Sequence, residues 1–182
     1  MDRKRQQPTT VGYHAVTVHN LSDKFCKNKK MGEVINEISQ AIQILGLNDS
    51  DIYLLDKKCG QEIFDEFENY YVNSENRRWW WEDFRQNHFT LKYSDKLFEL
   101  LKNIIPTTEK VWFMVEDDQE PFYPIYDTKP EIIGNIIGEC FAFEYYVMDK
   151  NKKWLICETH HGRLLGIGEE LKTVCKQQGL IE

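Results

Sequence analysis

The last third of the chain leaves few folds open. Three apolar runs, CFAFEYYVM (140–148), KWLICET (153–159) and RLLGIG (163–168), are separated only by the short breaks DKNK and HHG. Runs of this length and composition read as strands, and breaks this short join antiparallel neighbours. The segment is therefore an antiparallel meander, and EELKTVCKQQG (169–179) closes it as a helix. Upstream, KVWFMVED (110–117) reads as a buried strand. FYPIYDT (122–128) reads as a shorter one at a sheet edge, because Pro124 has no N–H for a ladder.

The first half has a helical period instead. In MGEVINEISQAIQILG (31–46), Val34, Ile35, Ile38, Ala41, Ile42 and Leu45 fall on one stripe, and Gly46 ends it. IYLLD (52–56) is a short strand, and QEIFDEFENYYV (61–72) a second helix with Ile63, Phe67 and Tyr70 or Tyr71 buried. SDKLFELLKNIIP (94–106) is a third, with Ser94 as N-cap and Leu97, Leu100, Leu101 and Ile104 inward. PEIIGNIIGE (130–139) is a fourth, with Pro130 in its first turn. Helices, then a meander, then a helix give a single α+β domain over 31–182, its sheet covered by helices on one face.

Residues 1–30 differ. They hold seven Lys/Arg against two Asp/Glu, a net of +5, with polar breaks at QQPTT and KNKK. They read as a basic, flexible segment in which YHAVTVHN adds at most one strand, with His14 and His19 on the surface. Residues 31–182 hold sixteen Lys/Arg against twenty-eight Asp/Glu, a net of −12. A body so acidic repels nucleic acid and attracts a basic partner. No apolar run reaches the ~18–20 residues that span a bilayer, and no apolar stretch follows MDRKR to make a signal peptide. The five cysteines (26, 59, 140, 157 and 175) are scattered and odd in number. That pattern fits reduced thiols in a cytoplasm better than a disulfide framework or a zinc ribbon. Cys157, flanked by apolar residues, reads as core.

Two short stretches carry candidate chemistry. The first is ETHHG (158–162). In a regular strand Glu158 and His160 project to one side, and the 149–152 hairpin sets Glu144 across from residues 157–158. If Glu144, Glu158 and His160 converge, with His161 beside them, the group suits acid–base work or a divalent metal. If they do not, the residues satisfy a tight turn whose positive φ falls on Gly162. The second is RRWWWEDF (77–84). Trp79, Trp80 and Trp81 point apart in a helix or a strand, so at least one lies outside the core, under a loop or in a contact. EDDQE (116–120) adds Glu116, Asp117, Asp118 and Glu120 on a loop, without EF-hand spacing, and these suit a cation or the steering of a basic partner. Phe141, Phe143, Tyr145 and Trp154 offer an aromatic pocket or a packed face. GxSxG, GxxxxGK[ST] and GxGxxG do not occur, so no cofactor is expected. In GIGEE, Glu169 and Glu170 complement the helix dipole and disfavour a phosphate.

RRWWWEDF, VWFMVED and FEYYVMDKNKKWLICETHHGRLLGIGEEL together resemble a family of small bacterial proteins of uncharacterised function, over about residues 31–175. In layout the chain also resembles the Smi1/Knr4-type immunity proteins, acidic α+β domains that neutralise toxins. That resemblance implies a cytoplasmic immunity or antitoxin-like protein. It would bind a protein partner, such as a basic toxin, with Trp79–Trp81 as anchor and Glu116, Asp117, Asp118 and Glu120 as steering charges. The alternative is a metal-dependent hydrolase or small-ligand binder built on Glu144, Glu158 and His160.

Overall fold

The computed structural model describes residues 32–74, 78–92, 97–119 and 121–181, all within one compact unit spanning Met31–Glu182. The expected strand in YHAVTVHN, the Ser94 cap and Glu120 lie outside the described residues. The elements run α1 (Glu33–Ile44), β1 (Ile52–Leu54), α2 (Lys57–Tyr71), a 3₁₀ turn at Trp80–Glu82, β2 (Phe89–Thr90) and α3 (Leu97–Ile104). They continue β3 (Val111–Val115), β4 (Ile125–Thr128), α4 (Pro130–Gly138), β5 (Tyr145–Met148), β6 (Leu155–Glu158), β7 (Leu164–Ile167) and α5 (Glu169–Gln177). The seven strands form one antiparallel sheet in the order β1-β4-β3-β5-β6-β7-β2. The fold is α+β, and β5-β6-β7 is the meander that the three apolar runs require.

Helices cover both faces of the sheet, not one. Strand alternation sorts the core into two layers. Phe113, Val147, Ile156 and Leu164 face α1, α3, α4 and α5 through Ile38, Leu101, Ile133 and Leu171. Met114, Tyr146, Leu155, Cys157 and Leu165 face α2 through Phe67 and Tyr71, with Trp80 beside them. The buried strands are near-continuously apolar because both faces are covered. Cys157 is fully buried, as its neighbours predict.

Three further expectations change. β4 is not an edge, for it pairs with β1 and β3; Pro124 precedes it, and only its carbonyl is used, accepting from Val115 N–H at 3.2 Å. The 140–148 run is strand only from Tyr145, because residues 140–143 leave the sheet after α4 and Phe141 is 82% exposed. Phe143, Tyr145 and Trp154 pack into the α1 side of the core, so the four aromatics do not line a pocket. α2 starts at Lys57, four residues early, because the Asp56 side chain accepts from Lys58 and Cys59 N–H and caps it.

α1 is capped from far along the chain. Its N-cap residue, Gly32, offers no side chain, and Asp117 supplies the missing acceptor: Ile35 N–H donates to Asp117 Oδ2 at 3.0 Å. Asp117 is 1% exposed and also accepts from Gln119 N–H at 3.1 Å. A Cβ on Gly32 would fall 1.8 Å from Asp117 Oδ1, so glycine is what lets the carboxylate in. Asp117→Ala should therefore lower stability by about 1–2 kcal/mol in urea denaturation, whereas Asp118→Ala, at an exposed position, should leave the midpoint unchanged.

Candidate functional site

The two candidate stretches meet. Just past α2 the chain is brought back on itself by Asn73 N–H to Asp83 O (3.1 Å) and Arg85 N–H to Tyr71 O (2.7 Å). In and beside the 3₁₀ turn the indoles separate. Trp80 is fully buried against Phe64 and Tyr146, with ring centroids 5.1 and 5.4 Å away, and its backbone N–H donates to Tyr146 Oη at 3.2 Å. Trp79 and Trp81 are half-buried on the ETHHG turn, their rings 4.8 and 5.4 Å from His160. Trp81 also lies 5.6 Å from His161, edge to face.

Glu144 joins these parts. It is 2% exposed, immediately before β5, and three donors and a ring nitrogen converge on it. Tyr146 Oη donates at 2.7 Å, Trp81 Nε1 at 2.8 Å and His160 N–H at 3.3 Å, while His160 Nδ1 lies at 3.1 Å. The turn beneath is held by Gly162 N–H to Thr159 O (2.8 Å) and Thr159 N–H to Arg163 O (3.0 Å), with Gly162 at φ 66°.

Glu158 stands apart. The register sets Tyr145 opposite Glu158, so Glu144 lies one residue further along and on the other face. β6 ends at Glu158, and the turn carries His160 over to the Glu144 side. Burial raises the Glu158 carboxyl above its usual range, and the Tyr145 hydroxyl beside it acts in the opposite sense. Thus Glu144 and His160 meet, His161 adjoins them through ring contact (4.2 Å to His160), and Glu158 does not take part. No group of three or more His, Cys, Asp or Glu among the described residues is arranged to hold a metal ion.

The acidic run divides as well. Asp117 is the buried α1 cap, Asp118 faces solvent, and Glu116 accepts from Arg78 Nε at 2.7 Å. The Arg78–Glu116 pair forms one wall of an open cavity of about 470 Å³ between the start of α2 and residues 116–125. Its other walls are mainly apolar, from Leu55, Phe64, Phe122 and Tyr123. Phe64 and Tyr123 stack at 5.2 Å and 24°, and Phe122 is half exposed. The Tyr123 hydroxyl is buried with no hydrogen bond among the described residues; burial, together with Glu116 and Glu144, keeps it protonated well above the usual range. The backbone links cavity and cluster, since Glu116 N–H donates to Glu144 O at 2.9 Å. This cavity is made between elements and has little signature in the sequence. Its only local signal was an aromatic pair between two prolines, PFYP (121–124).

Fold and site together define an α+β domain with an aromatic-walled cavity beside a Trp–Glu–His cluster centred on the buried Glu144. The chain belongs to DUF6756, a family of unknown function whose model matches residues 21–179. No curated protein and no solved structure matches it. No helix among the described residues is long and apolar enough to cross a membrane.

Two outcomes follow from this geometry. Trp81→Phe removes an indole donor from a buried carboxylate. It should cost about 1.5–3 kcal/mol in denaturant titrations and speed amide exchange at His160. Glu158 holds its proton to higher pH in the folded state than in the unfolded chain. Its contribution is full below the ordinary glutamate value and is lost as pH rises through the raised one. Glu158→Gln should therefore melt increasingly above the wild type as pH climbs through that window.

Proposed function

We propose that this chain is a cytoplasmic bacterial interaction protein of the immunity or antitoxin kind, which takes a basic partner at the cavity beside α2. The observation that carries this reading is an open, aromatic-walled cavity of about 470 Å³ with a half-exposed Phe122 at its wall. An apolar side chain seated there would be a desolvated anchor of the kind that dominates binding energy. The net charge of −12 over residues 31–182 supports a basic partner, by steering its approach. The free thiols at Cys59, Cys140, Cys157 and Cys175 among the described residues suit a reducing compartment. In this reading the tryptophans act mainly from beneath: Trp80 packs under Phe64, which lines the cavity, while Trp79 and Trp81 hold the adjoining turn.

A second reading rests on the 3.1 Å contact between Glu144 and His160. A carboxylate on Nδ1 fixes the imidazole and leaves Nε2 outward, the arrangement of a general base. It would belong to a hydrolase or a small-ligand binder.

Affinity capture from the native host separates the two. A partner retained by wild type, lost with Phe122→Glu, kept with His160→Ala and released by raised salt is the expected result. A captured set indifferent to Phe122→Glu overturns the cavity reading.

A further inference from the structure

The cavity begins where an edge strand ends. Among the described residues β1 lies at the margin of the sheet and pairs only with β4. Its alternation is fixed by two bonds, Lys129 N–H to Asp51 O and Leu55 N–H to Ile125 O, both 2.9 Å. In an antiparallel ladder the intervening even positions turn their backbone groups the other way. Ile52 and Leu54 therefore present theirs to the open side. Ile52 N–H is taken by Asn48 O at 3.1 Å, which leaves Ile52 C=O and both backbone groups of Leu54 without a hydrogen bond among the described residues.

Sheet edges are ordinarily blunted by lysine, proline or a covering element. β1 is Ile-Tyr-Leu, with Tyr53 49% and Leu54 37% exposed. Leu55, the residue that follows β1, lines the cavity together with Phe122, and its N–H donates to Ile125 O. A strand laid along β1 runs directly to the rim at Leu55.

We propose that β1 accepts an extended basic segment of another protein as an eighth strand, and that this segment sets an apolar side chain in the cavity. The inference rests on the reading that this end of the molecule takes a basic partner. Main-chain bonds would supply affinity and the cavity specificity, as in other strand additions. Charge favours this occupant over a second copy of the chain, since residues 31–182 carry −12 and a second copy, at −7 overall, has no excess of Lys/Arg to complement them.

The test uses the full chain and a synthetic peptide, Lys-Val-Lys-Phe-Lys-Val-Lys, beside an analogue N-methylated on alternate amides. Methylation removes strand pairing and keeps charge and side chains. The expected result is amide exchange at Leu54 slowed about tenfold or more by the peptide and unchanged by the analogue. Leu54→Pro gives up an outward N–H without breaking a bond to β4, and should weaken binding about tenfold or more while circular dichroism is kept. Equal binding of peptide and analogue overturns strand addition and leaves the cavity reading standing. Binding lost with Leu54→Pro but intact with Phe122→Glu does the reverse. Failure of both probes to bind overturns the proposal, as does a wild-type dimer that Leu54→Pro dissolves, which would make the occupant a second copy.

Discussion

A buried carboxylate that lacks a full set of donors is among the more costly features a fold can carry. Glu144 has that set, and its donors come from three separate parts of the chain: the Trp79–Trp81 stretch, β5 and the ETHHG turn. None of these segments is regular where it donates, except Tyr146. The carboxylate therefore fixes non-repetitive chain whose position no ladder or helix dictates. Trp80 fills the core beneath, and its backbone N–H meets the same Tyr146 hydroxyl that serves Glu144. Indole, phenol, carboxylate and imidazole form one connected network, with the geometry of each member set by the others.

The acidic character of the chain is only partly a surface property. Asp117 is consumed in capping α1, Asp56 in capping α2, and Asp51 in holding Lys129 at 2.8 Å across the β1–β4 pair. Asp127 accepts from Lys150 at 2.7 Å, and that lysine also lies over the Trp112 ring, 4.1 Å from its centroid. Lys152, at the positive φ of the β5–β6 turn, reaches Glu66 and the rings of Phe67 and Tyr70, tying α2 to the hairpin. These carboxylates, buried at Asp117 and nearer the surface at the others, hold element junctions through caps and ion pairs. The net charge that remains still sets the long-range field.

What could be read from the sequence follows the range of the interactions involved. The meander, the amphipathic α1 and the Pro130 start of α4 are encoded by periods and breaks within a dozen residues, and all three are present. The meeting of Glu144 with His160 was legible because a short hairpin fixes separation. The exclusion of Glu158 was not, because it depends on β6 stopping two residues before His160 and on a single register step. The Asp117 cap joins residues 82 apart, and nothing near Gly32 or Asp117 announces it. The second helical layer was missed for the same reason. α2 has an apolar stripe, but only tertiary packing tells which side of the sheet receives it. The cavity is likewise made between elements, from Leu55, Phe64 and Tyr123, whose separate sequence contexts look like ordinary core.

The two margins of the sheet are finished differently, and the difference bears on function. At the β2 side the strand is two residues long, and the chain beyond it is engaged from within: Leu91 N–H donates to Leu164 O and Lys92 N–H to Leu180 O, so the C-terminal residues continue the pairing. At the β1 side no described element continues it, and the side chains there are apolar. A fold that closes one margin with its own tail has no structural need to leave the other apolar, because a lysine in place of Tyr53 would cost little in a half-exposed position. The described edge thus carries an exposed tyrosine and leucine and leads through Leu55 to the aromatic-walled cavity, and the proposed strand addition rests on that continuity.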